Sequence, residues 1–284
     1  MYSKNIICVL FLFVVFSGKA QTAQDSAIIV NIQWEINPIE KGIVHKRAIV
    51  NSLYGGHQYI NIVEIDTKSK HQTKVIMTNP SQITSEAARA NHAIVAINGS
   101  YYDEKTGEPV CYYRIGKNVI DTTHNIELYR VTGAIHIQSG KVKLIPWNKE
   151  IEQAYNGNKG IVFASGPLLI NKGSICDVSK LPNQKFFTDK HPRSAIALTE
   201  NNKMLLVTVD GRQPQHAIGV SIPELTHLLK ILGSKDALNL DGGRSTTLWS
   251  AKEKNNGVLN SPAANKKFDQ FGERLNANTI IVTK

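Results

Sequence analysis

Three times in this chain an apolar run stops at an Asx-Gly pair. The runs are Ala-Ile-Val-Ala-Ile-Asn98-Gly99, Leu-Leu-Val-Thr-Val-Asp210-Gly211 and Ala-Leu-Asn-Leu-Asp241-Gly242-Gly243. Each reads as a buried strand with a polar residue at its carboxyl end. The glycine lets the backbone turn sharply and a ligand come close. One such pair is ordinarily only a turn. Three of them favour a site: if the strand ends are neighbours in one sheet, an amide and two carboxylates surround a crevice outside the carboxyl ends of the strands.

The remaining pattern is strand-rich. Ile43–Val50 and Tyr59–Asp66 read as strands near the start. Val131–Ile137 and Lys141–Ile145 predict a hairpin around Ser139-Gly140, and Ser194–Leu198 and Met204–Val209 predict another. Thr84–His92 predicts a short helix capped by Thr84 or Ser85. The clearest helix is Ile222–Leu232. Ser221 and Glu224 form a capping box, Leu225, Leu228, Leu229 and Leu232 line one face, and Gly233 stops it. The strand, helix and strand from Met204 to Leu240 predict a parallel crossover. The expected fold class is therefore α+β: a mixed β-sheet with hairpins and at least one βαβ crossover, helices packed against the sheet. A β-rich segment at 21–80 and a catalytic domain at 81–284 are expected to form one continuous unit.

The first 20 residues have the layout of a signal peptide. Lys4 precedes the apolar stretch Ile6–Phe16, and Gly18 and Ala20 suit cleavage near Ala20. The stretch is short for a span, which needs roughly 20 residues, and Cys8 lies in no lipidation pattern. A secreted or periplasmic protein without an integral membrane segment after cleavage is expected. The formal net charge of +10 could attract anionic partners, but lysines scattered for solubility are the expected reading. No arginine-rich helix, zinc spacing or RNA-binding motif accompanies it, so no nucleic-acid partner is expected. Cys111 and Cys176 are too isolated in sequence to establish a disulfide.

Arginines sit beside the same strand ends: Arg193, Arg212, Arg244 and Arg274. Guanidinium forks give paired, charge-assisted hydrogen bonds to phosphate or carboxylate. The segment Asp241-Gly242-Gly243-Arg244-Ser245-Thr246-Thr247 adds backbone N–H groups and hydroxyls that suit an anion. Asp210, Asp241 and Asn98 are oxygen donors that suit Ca²⁺ or Mg²⁺, although no spacing demands a metal and no cofactor is expected. His191 and His216 form no zinc motif.

Several of these stretches occur together, in order: Asn98-Gly99-Ser100-Tyr101-Tyr102-Asp103, Ser165-Gly166-Pro167-Leu168, His191-Pro192-Arg193-Ser194, Val209-Asp210-Gly211-Arg212, Gly219-Val220-Ser221, Asn239-Leu240-Asp241-Gly242-Gly243, and Gly272-Glu273-Arg274-Leu275-Asn276. Over roughly residues 90 to 283 they resemble the phosphodiester glycosidase family. The resemblance implies release of a sugar from a sugar-1-phosphate diester or phosphorylated glycan, leaving a phosphomonoester. Ser100 and Arg244 stand where relatives usually have glycine, and Ala264 replaces a frequent acid. On this reading Asp241 is the first candidate for base or nucleophile and Asp210 the second. Glu273 is an acid or an ion-pair partner of Arg274. Arg193 and Arg274 bind phosphate, and Asn98 and Thr246 orient hydroxyls or phosphate. Gly99, Ser194, Arg212, Gly242, Gly243, Arg244, Ser245 and Asn276 complete the binding set. Two rivals remain: a metal-dependent phosphodiesterase that breaks P–O, and a non-catalytic binder of anionic glycans.

Overall fold

The computed structural model describes residues 22–284. The expected leader, residues 1–20, lies outside the described residues. Three sheets carry the chain. The largest has eight strands, in the order Glu35–Glu40, Ile43–Leu53, Gly56–Asp66, Lys203–Val209, Arg193–Thr199, Ser234–Asn239, Leu168–Asn171 and Ser174–Ile175. A five-stranded sheet is built around Ile161–Ser165, and a four-stranded sheet pairs Leu248–Ser250, Val95–Asn98, Leu275–Thr283 and Gln72–Ile83. Helices are few and short.

The expected hairpins form. Gly133–Gln138 pairs with Lys141–Pro146, and Ser139 and Gly140 both take positive φ in the turn. Arg193–Thr199 pairs with Lys203–Val209. Every registered pair among the described residues is antiparallel, so the crossover expected from Met204 to Leu240 joins two strands that run in the same direction in one sheet but are not paired with each other. Lys203–Val209 and Ser234–Asn239 are not neighbours. Arg193–Thr199 lies between them and pairs antiparallel with each. Its hairpin partner takes one edge, and the strand after the helix takes the other.

The central strands of the large sheet, such as Arg193–Thr199 and Lys203–Val209, are buried on both faces, which explains their unbroken apolar runs. Ile196, Leu206 and Leu238 point into a core shared with Ile97 and Ile280 of the four-stranded sheet and Ile135 and Phe163 of the five-stranded one. Leu205, Val207 and Ala195 point the other way, under the helix Ile222–Ile231. Leu225, Leu228 and Leu229 of that helix are fully buried, each worth about 1.5–3 kcal/mol of burial. Its capping box is present as expected: Ser221 Oγ accepts the Glu224 N–H, and the Glu224 carboxylate accepts the Ser221 N–H.

The helix Thr84–Ala90 differs from expectation at its start. Its cap is Ile83, with no side-chain bond from Thr84 or Ser85. Instead the Ser85 N–H donates to the Glu273 carboxylate at 2.9 Å. A carboxylate from the far end of the sequence thus meets the positive end of this helix.

Candidate active site

Local backbone pairing brings the strand ends together. The Leu240 N–H donates to Ser194 O at 2.9 Å, the Asp241 N–H to Gly99 O at 3.0 Å, and the Gly243 N–H to Pro192 O at 2.8 Å. The loop after Asp241 can lie this close only because it carries glycines. A Cβ on Gly242 would sit 2.8 Å from Pro192 O, and Gly243 has φ of 61° beneath the Arg212 guanidinium. Gly99 is packed against Asn278, where any side chain would collide.

Beside this junction opens a cleft of about 300 Å³. Five arginines line it: Arg130, Arg193, Arg212, Arg244 and Arg274. Among the described residues two carboxylates line the cleft with them, Asp241 and Glu104. Tyr101, Tyr102, Phe186 and His191 form the walls, with Gly242, Gly243 and Ser245 at the loop. A cleft with this charge attracts anions.

The arginines are not equivalent. Arg193 is 2% exposed. Its Nε donates to Val220 O at 3.2 Å and its Nη2 to Phe186 O and Asp189 O, so its pose is fixed. Burial, with Arg212 and Arg130 adding repulsion, pulls its pKa down to about 10. Arg212 has φ of 63°, a strained backbone for a non-glycine residue. Its Nη2 lies 3.5 Å from His191 Nδ1. Neither Arg193 nor Arg212 has a carboxylate partner among the described residues. Arg130 stacks 3.6 Å over the Tyr101 ring and pairs with Glu127 at 2.5 Å. Burial opposes its charge, yet Tyr101 and Glu127 hold its pKa above the usual value. Arg244 and Arg274 share Glu104, at 2.9 and 2.7 Å.

Asp241 is the carboxylate that no arginine clamps. Its Oδ1 accepts the N–H of Gly242 at 3.0 Å. Burial raises its pKa, against the pull of Arg130 and Arg274. The Ser245 hydroxyl approaches this carboxylate and the Tyr102 hydroxyl, yet it closes a well-formed hydrogen bond with neither. Tyr102 Oη and Ser245 Oγ are thus buried polar atoms without partners among the described residues. Such atoms are costly unless something binds them. His191 is kept neutral by burial and by Arg193 and Arg212, which push its pKa down.

The structure therefore gathers Asp241, Arg193, Arg212, Gly242, Gly243, Arg244, Ser245 and Arg274 in one cleft. The other candidates lie outside its lining. Asp210 is buried behind the loop, where Asn260 Nδ2 and the Ser261 N–H both donate to it at 2.8 Å. Burial pushes its pKa up to about 7. It anchors Asn260, which in turn donates to Thr246 O and accepts the Leu248 N–H. Among the described residues Glu273 makes no ion pair with Arg274: its carboxylate accepts the Ser85 N–H at the start of the Thr84–Ala90 helix, and Arg274 turns to Glu104. Asn98 is fully buried. Its Oδ1 accepts from Ser194 Oγ and the Thr247 N–H, and its Nδ2 donates to Asp241 O. Gly99, Ser194, Thr246 and Asn276 likewise belong to the scaffold. Asn276 Nδ2 donates to Thr84 Oγ1 and Arg274 O. Among the described residues no group of three or more His, Cys, Asp or Glu side chains is placed to hold a metal ion.

Sequence reasoning missed Arg130, Glu104 and Phe186 altogether, and named Tyr101, Tyr102 and His191 only inside motifs. The Glu127-x-x-Arg130 spacing signals a local ion pair and nothing about a cleft. Cys111 and Cys176 are free thiols, and burial pushes the Cys111 pKa up to about 12.

Fold and site together define a cleft lined by five arginines, with one carboxylate, Asp241, that no arginine clamps among the described residues, set where strand ends converge. The sequence pattern of phosphodiester glycosidases matches residues 91–283, and the chain belongs to that family. Solved structures are similar in fold. The catalytic domain of zebrafish N-acetylglucosamine-1-phosphodiester α-N-acetylglucosaminidase, auto-inhibited by its pro-peptide, aligns at a TM-score of 0.65 and 20% identity, over 88% of this chain and 83% of that one. A hypothetical protein from Synechocystis aligns at 0.64 and 18%, over 88% of this chain and 63% of the other's length. A putative exported protein from Burkholderia pseudomallei aligns at 0.51 and 14%, over 83% and 76%. No curated protein sequence matches the chain.

Proposed function

We propose that the cleft hydrolyses the bond between the anomeric carbon and the phosphate oxygen of a sugar-1-phosphate diester. Asp241 takes a proton from water, and the water oxygen attacks the anomeric carbon. The C–O bond breaks, its electron pair stays on the phosphate oxygen, and free sugar and a phosphomonoester leave. Arg193 and Arg212, which lack carboxylate partners, hold the phosphate and stabilise the charge that grows on it. Ordinary glycosidases need a second carboxyl group to protonate the leaving oxygen. A phosphate leaves without one, and the other cleft carboxylate, Glu104, is committed to two arginines.

The observation that carries this reading is the pairing of one unclamped carboxylate with two uncompensated guanidinium groups in the same cleft. Family membership supports it. The leader-like sequence of residues 1–20 supports an exported enzyme. Among the described residues no helix is long and apolar enough to cross a membrane.

The test is product analysis in H₂¹⁸O with α-linked sugar-1-phosphate diesters. Free sugar carrying the label, with an unlabelled phosphomonoester, supports the proposal. Sugar-1-phosphate as product means P–O cleavage and overturns it. Tight binding with no product from any diester overturns it in favour of a binding role.

A further inference from the structure

Glu104 stands where an anion would. Its carboxylate lies between Arg244 and Arg274 at 2.9 and 2.7 Å, and its side chain is 58% exposed. It sits on a turn, Asp103 to Glu108, stitched by the Asp103 N–H to Glu108 O and the Gly107 N–H to Asp103 O bonds. The two arginines hold its pKa below the usual carboxylate range, the bond from Arg274 contributing most. Arg274 meets the carboxylate with two nitrogens and Arg244 with one, a fork that suits a phosphate group equally well. Glu104 is the exposed partner, the one able to turn out to water when a more highly charged anion competes.

Behind Glu104 lies a second cleft of about 330 Å³. It shares Tyr102, Glu104 and Arg274 with the first and adds Lys105, Ser81 and Thr106. The Glu104 side chain with its two arginines is the partition between them. A phosphodiester carries one negative charge, which Arg193 and Arg212 together more than offset. Arg244, Arg274 and Lys105 remain for a further anion once Glu104 moves aside.

The geometry points to a second-phosphate subsite at Arg244 and Arg274, with Glu104 as its displaceable plug. The substrate class is a sugar-1-phosphate ester whose leaving half carries another phosphate, lying toward Lys105 in the outer cleft. This rests on the main cleft being the site of the scissile phosphate. A second phosphate could be directly linked, as in a diphosphate, or spaced along a phosphodiester chain, and both ask for the same cations.

Calorimetry on the full chain with inorganic phosphate, inorganic diphosphate and a glycerol-spaced bisphosphate tests it without turnover. The subsite predicts that one of the two doubly phosphorylated probes binds at least ten-fold tighter than phosphate, and which one wins identifies the spacing. Glu104→Gln, which frees both arginines, should tighten that probe several-fold and leave phosphate unchanged. Arg244→Gly should erase the preference, and Arg244→Lys should restore part of it in a chain that melts like the wild type. Equal affinity for all three probes, or a preference that survives Arg244→Gly, overturns the subsite. That failure would leave C–O cleavage standing, because the labelled-product assay uses diesters with one phosphate. A failed product assay would likewise leave the anion-binding result intact.

Discussion

Asp241 carries the chemistry proposed for the cleft, and a single atom change interrogates it. Asn in its place keeps an oxygen to accept the Gly242 N–H and removes the base. Turnover should fall by roughly 10²–10⁴-fold, the range for a lost general base. The melting temperature should hold or rise, since burial already disfavours the charged form. Residual kcat within ten-fold of wild type in a folded Asp241→Asn protein would remove Asp241 from this role. The same carboxylate sets an acid limb in kcat/KM. Only its ionised form takes a proton, so activity falls as pH drops through a value above 3.8, and the limb disappears with the variant. Arg212 offers a second residue-level test. Its positive φ makes glycine the natural replacement. Arg212→Gly should relieve about 1 kcal/mol of backbone strain, offset in part by the freedom glycine gains when unfolded. It should also lower kcat/KM about 10- to 100-fold, the worth of one charged hydrogen bond to phosphate. Steady-state kinetics beside a thermal melt separate the two effects, and unchanged kcat/KM would clear Arg212 of phosphate binding.

Elements were the legible level of this chain. The hairpin turns at Ser139-Gly140 and near Asn202, and the capped helix Ile222–Ile231, follow from local rules of turn chemistry, capping and spacing. Those rules fail where an element is finished by something distant. The helix Thr84–Ala90 takes its acceptor from Glu273, 188 positions away from Ser85, and no local pattern encodes that. We read the same contact as giving Glu273 a structural role rather than an acid's. Glu273→Gln keeps a carbonyl acceptor for the Ser85 N–H and removes a charge that the helix start favours by about 0.3–1 kcal/mol but that burial disfavours more, since the Glu273 pKa is raised. Stability should hold or rise in a denaturant titration, with kcat within two-fold of wild type. A ten-fold loss of kcat would restore the catalytic reading. Asn98 shows the converse. Its buried amide ties the Val95–Asn98 strand to Ser194, Thr247 and Asp241, so Asn98→Ala should cost about 3 kcal/mol through unsatisfied partners. Chemical denaturation reads this directly, and a cost below 1 kcal/mol would mean that the tie is not the one drawn.

At the scale of the molecule, the three Asx-Gly pairs do converge, but from two sheets, and only Asp241 faces the cleft. Sequence shows which strands end in a polar residue; it does not show which side of the junction each side chain takes. That choice depends on partners such as Asn260 and Ser261, which reach Asp210 across a sequence gap of about 50 residues. Arg130 and Glu104 were illegible for the same reason, since tertiary packing alone brings them to the site. Asp210 now has a consequence for the whole fold. Its pKa stands at about 7 in the folded protein against an ordinary 3.8, because burial disfavours its charge more than the two N–H donors favour it. The folded state holds this proton more tightly than the unfolded chain does. The contribution to stability is therefore fully present below 3.8 and is lost as pH rises toward about 7. Over that window the loss is at most about 4 kcal/mol, at roughly 1.4 kcal/mol per pH unit. Asp210→Asn removes the titration, so its stability relative to wild type should climb as pH rises through this window and level off above it. Melting both proteins at half-unit steps from pH 4 to 8 measures the difference, and two curves that stay parallel throughout would show that the buried Asp210 carboxyl is ionised at all these pH values and that its two donors outweigh its burial.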